Sequence, residues 1–256
     1  MADEQAALAD GFASFADELA QTSDFHIGLI PTSVAYDDPA HGELVAREGE
    51  PTFLTRDDDY VTLFRDRLGL VGLDGDDREE GIESATYALS PSMLSGANEG
   101  FMREDARLLI VFVSDGHESQ ERQEGRVPVS EHVKALRSLK SDEEQVQVSV
   151  FISDLEYGRS YIEIAQVMGG SLADISTRDW GQMLAALGVQ ASGIRSRFQT
   201  RWPAQPKSLK VWVDDQPVIE HETEGWTYDS ETWYLTFGVN AIPDSASEIY
   251  AEYTSF

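Results

Sequence analysis

The sequence predicts an α/β fold: a doubly wound, mostly parallel sheet over residues 1–195, followed by a small antiparallel β unit over 203–256. Three observations carry that reading. Strand-like and helix-like stretches alternate to about residue 190, the pattern of a parallel sheet covered by helices. The strongest strand signal, Leu108–Val113, is six apolar residues without alternation, which predicts burial on both faces. Beyond Pro203 and Pro206 the pattern changes to period two, with Leu209, Val211 and Val213 alternating with Lys210, Trp212 and Asp214.

The elements follow in chain order. Leu8, Phe12, Phe15 and Leu19 recur at helical spacing and form one buried stripe of an amphipathic helix. Phe25–Ile30, an apolar run bounded by Pro31, reads as a buried strand. Residues 35–60 hold Pro39, Gly42, Gly49, Pro51 and the run Asp57-Asp58-Asp59, so a loop is expected there with an edge strand near Phe53-Leu54. Helices are expected over 58–68 and 77–89. Ser114-Asp115-Gly116 ends the strong strand and sets polar side chains at its carboxyl end. Val129, Val133, Leu136 and Leu139 mark a helix opened by Pro128. Val146–Ile152 is a further strand. Tyr161, Ile164, Ala165 and Met168 lie on a helix that Gly169-Gly170 stops. Leu172–Ile175 is a short strand, and Trp180–Leu187 a last helix closed by Gly188. Trp226, Tyr228, Trp233, Leu235, Phe237, Ile249, Ala251 and Tyr253 complete a tail of four or five expected strands.

Composition narrows the function. With 47 Asp and Glu against 19 Lys and Arg, the 256-residue chain has a formal charge of −28, which repels nucleic acid and anionic membrane surfaces alike. At 41% hydrophobic and 10% aromatic it is too apolar for an acidic disordered tail. Only four of the 19 cations are Lys, and such a surface suits either a salty medium, where screening relieves self-repulsion, or an acidic extracellular protein. No apolar run approaches the roughly 18 residues of a membrane span. The first 30 residues lack a basic segment followed by an apolar one, so neither anchor nor export signal is expected in the sequence as written. Cysteine is absent, which excludes disulfides, thiolate nucleophiles and thiolate metal sites.

Ligands of open parallel sheets bind beyond the carboxyl ends of the strands. Three acidic loops could sit there: Asp115 to Glu118, Asp74-Gly75-Asp76-Asp77, and Asp154. Their hard oxygen donors suit Mg²⁺ or Ca²⁺ rather than zinc or copper. Solvation explains most acids in a chain with 47 carboxylates, and Asp115 stands out by its place at the end of a buried strand. Residues 74–79 do not complete an EF-hand, because Arg78 holds the fifth position. His117 beside Glu118 would suit acid/base work, with no second partner in view. Ser114, Ser119 and Ser153 lack the setting of a nucleophile elbow. Trp202, Trp212, Trp226 and Trp233 would serve a β core or an aromatic binding face.

Four stretches resemble the von Willebrand factor A-type domains, in particular secreted bacterial versions with a β appendage. They are DFHIGLIPT (24–32), GIESATYAL (81–89), the FVSD strand end with its upstream ALSP and NEGF context (88–118), and YIEIAQVMGGSLADISTRDWGQMLAALG (161–188). The tail stretches SLKVWVDDQPV and GWTYDSETWYLTF resemble the appendage. The resemblance implies an extracellular or cell-surface adhesion module, not an enzyme. Such a module holds Mg²⁺ or Ca²⁺ at the sheet rim and binds a protein partner that presents an acidic residue. It implies Asp115 as a metal-proximal carboxylate, with Asp74, Asp76 and Glu118 as further candidates, and Asp115, His117 and Leu73 on the ligand-binding side. Leu73 stands where the family tends to have Thr, and Ser119 and Ser176 where relatives often have Cys. It also implies that the first strand, with its D-x-S-x-S loop, would precede Met1, so that the native chain or a strand-donating partner is expected to supply it. Two other readings stay open: a metal-free scaffold or interaction domain with a decayed site, and a metal-dependent hydrolase using His117 and Glu118.

Overall fold

The computed structural model describes residues 2–22, 24–32, 40–71, 80–115, 127–153, 158–175, 180, 184, 187–188, 197–205, 207–230, 233–238, 241–243 and 247–255. The protein is mixed α/β. In chain order the elements are α1 (Ala2–Thr22), α2 (Tyr60–Val71), α3 (Gly81–Ala88), α4 (Pro91–Leu94), β1 (Leu108–Ser114), α5 (Val129–Arg137), β2 (Val146–Ile152), α6 (Arg159–Met168) and β3 (Leu172–Asp174). The β-rich remainder holds β4 (Arg197–Gln199), β5 (Lys210–Val213), β6 (Gln216–Val218), β7 (Trp226–Asp229), β8 (Tyr234–Phe237) and β9 (Ile249–Glu252). The chain divides into two units, Met1–Leu184 and Ala185–Phe256.

In the first unit β1, β2 and β3 form a parallel sheet in that order. Leu108 pairs with Val146 and Ser114 with Ile152, and Val150 pairs with Leu172. Val148, Val150 and Ile152 of β2 are almost wholly buried, as befits the middle strand. One face of the sheet packs against α3, α5 and α6, joining Ile82, Phe112, Leu136, Val148, Tyr161 and Ile164 in one apolar cluster. A second cluster joins Ala9, Phe12 and Ala16 of α1, Phe64 and Leu68 of α2, and Leu54, with Ile27 and Leu29 against it. Phe12 and Phe64 stack with ring centroids 3.5 Å apart.

Helix α6 ends where the sequence places its stop. Gly169 takes φ +72°, the left-handed value that a residue with a Cβ adopts only at a cost. Gly170 then passes so close to β2 that a Cβ there would stand 1.8 Å from the Val148 carbonyl oxygen. Asn98, buried in the NEGF stretch, donates from Nδ2 to the carbonyls of Gly42 (2.8 Å) and Ala88 (2.9 Å). Its Oδ1 accepts from the Leu44 amide at 3.0 Å, so one side chain ties the 42–44 loop to the end of α3.

Several local expectations change. Phe25–Ile30 lies in no ladder among the described residues, and its pairing is the single antiparallel bridge of Ile27 with Leu54. An apolar run makes a strand only where a neighbour offers backbone groups. Residues Leu109–Val111 and Val113 of β1 are half-buried instead of enclosed, because among the described residues β1 pairs with β2 alone. The short helix α4, with Pro91 at its first position, has too few residues to show a period and was not expected. The helix expected over 180–187 lies largely outside the described residues, with Trp180, Leu184 and Leu187 buried.

In the second unit the described strands are five within the expected tail, β5 to β9, and one ahead of it, β4 at 197–199, in two antiparallel three-stranded sheets ordered β4-β8-β7 and β6-β5-β9. Trp226 is buried at the centre of this unit's core with Val211, Leu235 and Phe237. Asp214 and Asp215 both take positive φ, 48° and 63°, as a two-residue type I′ turn requires. The Asp214 carboxylate accepts from the Glu248 amide at 2.8 Å, and the hydrogen bonds from Glu248 and Ser247 hold its pKa below the usual carboxylate value.

Candidate functional site

Because β1 and β2 run parallel, their carboxyl ends open on the same rim. Ser114 ends β1 with its side chain buried, and Asp115, the next residue, is exposed. The two strand ends are tied by backbone and side chain: the Ser153 amide donates to the Ser114 carbonyl (3.3 Å), and Ser153 Oγ donates to the Asp115 carbonyl (3.0 Å). The backbone of Asp115 is thus anchored to β2, and the residue is exposed at the carboxyl end of the strand.

Below this rim lies a compact joint. The Glu80 amide donates to the Thr32 carbonyl (2.8 Å), and the Gly81 amide to the Tyr161 hydroxyl (3.2 Å). A Cβ on Gly81 would stand 2.5 Å from that hydroxyl, 3.2 Å from Thr32 Cγ2 and 3.4 Å from Phe112 Cδ1. Glycine is therefore required for this close approach. Glu80 itself is 1% exposed, a buried acid at the start of α3. Sequence reasoning missed it, because in the run Arg78-Glu79-Glu80 it looks like any solvated carboxylate.

The other predicted site residues, Leu73, Asp74, Asp76, His117 and Glu118, lie outside the described residues, as does Asp154. The donors present at the described rim, the Asp115 carboxylate and the Ser153 hydroxyl, are oxygens, which fits Mg²⁺ or Ca²⁺ in kind. Among the described residues no three His, Asp or Glu side chains converge.

A second constellation joins α3 to α5. Thr86 Oγ1 donates to the Ile82 carbonyl (2.8 Å), which commits its proton. His132 Nδ1 lies 3.1 Å from the same oxygen and must therefore donate to it, leaving Nε2 facing Glu83 Oε2 at 3.6 Å. With its proton given to a helix carbonyl, Thr86 is a link in a structural tie and not an activated nucleophile. Burial pushes the His132 pKa below its usual value, and the nearby Glu83 carboxylate offsets this in part.

A lowered histidine pKa makes the unfolded chain the better proton binder. The stability that His132 contributes is thus present above about pH 6.5 and lost as the pH falls below it toward the folded-state pKa. Urea midpoints of the wild type and of His132→Asn, which keeps a donor toward Thr86, are expected to differ most above pH 7 and to converge as the pH falls to 5. A gap that widens on acidification would mean that the Glu83 ion pair outweighs burial.

Comparison with known proteins adds no family: the chain matches no protein-family model and no curated protein. Among the described residues no helix is long and apolar enough to cross a membrane.

Proposed function

We propose that the chain is a protein-interaction module of the extracellular or cell-surface kind, built on a doubly wound von Willebrand factor A-like sheet. In this reading it binds an acidic side chain of its partner through a divalent cation at the sheet rim. One observation carries the reading: Asp115 is exposed at the carboxyl end of a strand in a parallel sheet, where such sheets place their ligands. The strand-end bonds through Ser153 support it, since they fix the backbone from which that carboxylate projects. Asp115 would hold the cation, with Asp74, Asp76 and Glu118 as the candidates to complete the set. The bound ion would supply an open coordination position for a carboxylate from the partner.

The test is calorimetric. Titration with Mg²⁺ and with Ca²⁺ in 150 mM NaCl, which damps diffuse attraction to the −28 surface, is expected to give one site with Kd on the order of 10⁻⁴ to 10⁻³ M. Asp115→Ala is expected to remove that heat while leaving the melting temperature unchanged, because the side chain is exposed. An unaltered isotherm in the variant would end the metal reading.

A second, metal-free reading has its own support in the β-rich unit. Trp212 and Tyr250 pair across β5 and β9 with ring centroids 5.5 Å apart, and Tyr250 is 59% exposed. Exposed aromatic surface of this kind favours recognition by contact. Loss of partner binding in Trp212→Ala, with Asp115→Ala unaffected, would select it.

A further inference from the structure

The aromatic pair of the β-rich unit sits in surroundings that specify what it would bind. Side chains alternate along a strand, and those of Val211, Val213, Ile249 and Ala251 turn into the unit's apolar core. The residues between them, Lys210 and Trp212 on β5 and Tyr250 and Glu252 on β9, therefore face outward. Trp212 pairs with Pro217 on one side and with Tyr250 on the other, so three rings form a row across the sheet. The Trp212 and Tyr250 rings are tilted by 49° to one another, and Tyr250 is exposed.

Charge is distributed unevenly around that row. At one end Lys210 stands opposite Glu252, one cation beside one anion. At the other end Asp214, Asp215 and Glu248 are exposed together. The Asp214 amide donates to the Glu248 carbonyl (2.9 Å), and the Asp214 carboxylate accepts from the Glu248 amide (2.8 Å). These bonds continue the pairing of β5 with β9 by one step, so Glu248, two residues before Tyr250, lies on the same outer face.

Aromatic rings beside carboxylates of one sign attract a cation in two ways, through the ring faces and through the charges. A second copy of this chain is the wrong occupant, because a two-fold contact through this face would set its acids against their equivalents. A guanidinium suits it best. The planar group stacks on Trp and Tyr, is more weakly hydrated than an ammonium, and keeps its N–H fork free at the edge to meet a carboxylate.

We propose that this face binds an arginine side chain presented by a partner protein, with the guanidinium on the Trp212–Tyr250 rings and its N–H groups toward Glu248. This partner chemistry rests on the metal-free reading of the aromatic pair and involves no ion at the sheet rim.

NMR titration of the isotope-labelled full chain with the blocked tripeptide Gly-Arg-Gly in 150 mM NaCl tests it. Saturable shifts are expected at the Trp212 indole N–H and at the amides of Glu248 and Tyr250, with Kd on the order of 10⁻³ M. The citrulline tripeptide, which keeps the shape and lacks the charge, should leave these signals in place. Gly-Lys-Gly should bind about threefold or more weakly. Tyr250→Ala and Glu248→Gln, both at exposed positions that the fold does not depend on, should each weaken arginine binding by about threefold or more. Shifts spread over acids elsewhere in the chain, or binding unchanged in both variants, would overturn the site. Equal binding of the citrulline peptide would overturn the guanidinium and leave recognition through Trp212 standing. Concentration-dependent shifts of the same signals without peptide would put a second copy on the face and overturn the arginine partner. Absence of peptide binding would overturn it as well, and only if Trp212→Ala also left partner binding unchanged would the metal-free reading fall with it.

Discussion

Gly170→Ala is expected to destabilise the first unit by about 3 kcal/mol or more, through overpacking against backbone that cannot yield. A Cβ there would stand 1.8 Å from the Val148 carbonyl oxygen, 2.4 Å from its carbon and 2.8 Å from the Ser149 nitrogen. Val148 is fully buried in the middle strand and paired with Ile110, so β2 cannot move aside. The chain after α6 must back away instead. That breaks the Val150 amide bond to the Ser171 carbonyl (2.8 Å) and the Ser171 amide bond to Ser149 Oγ (3.0 Å), and with them the pairing of β3. Gly169→Ala is the internal control: its Cβ would meet open space, so only the left-handed φ of +72° opposes it, at about 1 kcal/mol. Urea midpoints of the two variants should differ accordingly, and equal losses would mean that the close approach is not rigid.

Arg67→Ala is the second large loss expected, about 3 kcal/mol, with Arg67→Met losing clearly less. Arg67 is wholly buried on α2, and its guanidinium donates to the carbonyls of Thr52 (3.0 Å) and Pro51. Its Nε has no hydrogen-bond partner and lies 3.9 Å from Glu50. Burial lowers the pKa of the group, opposed by Glu50 and Asp58, and arginine remains charged regardless. Glu50 keeps Arg47 at 3.6 Å after the substitution, so no carboxylate is stranded. What Ala removes is volume at a fully enclosed site together with the two carbonyl bonds that hold the 51–52 turn against α2. Met restores most of the volume. Chemical denaturation of both variants checks the order, and equal losses would show that the hydrogen bonds, not the volume, dominate.

Elements set by local pattern could be read from the sequence. Helix α1 follows from the Leu8–Leu19 stripe, β2 from Val146–Ile152, and the end of α6 from Gly169. What local pattern cannot supply is the neighbour. Leu108–Val113 and Phe25–Ile30 both read as strands, yet among the described residues the first pairs on one side and the second forms one bridge, because pairing depends on chain far away in sequence. Burial of charge is similarly hidden. Arg67, Glu80 and His132 look like ordinary surface residues in their own stretches, and only tertiary packing encloses them. At the site, the position of Asp115 was readable since it depends on where one strand ends, while Leu73, Asp74, Asp76, His117 and Glu118 fall outside the described residues.

The way each sheet is wired also sets how it must assemble. Every rung between β1 and β2 joins residues 38 apart (146 − 108), so a long loop is closed before the first parallel pair forms. By contrast β5 and β6 meet across the Asp214-Asp215 turn, a hairpin of the kind that closes in about 1–10 μs. The polypeptide therefore runs on two clocks: its late-synthesised hairpins can form almost at once, while the early-synthesised parallel layer waits for distant partners. During that wait the apolar strand at 108–113 lacks its partner and is open to aggregation.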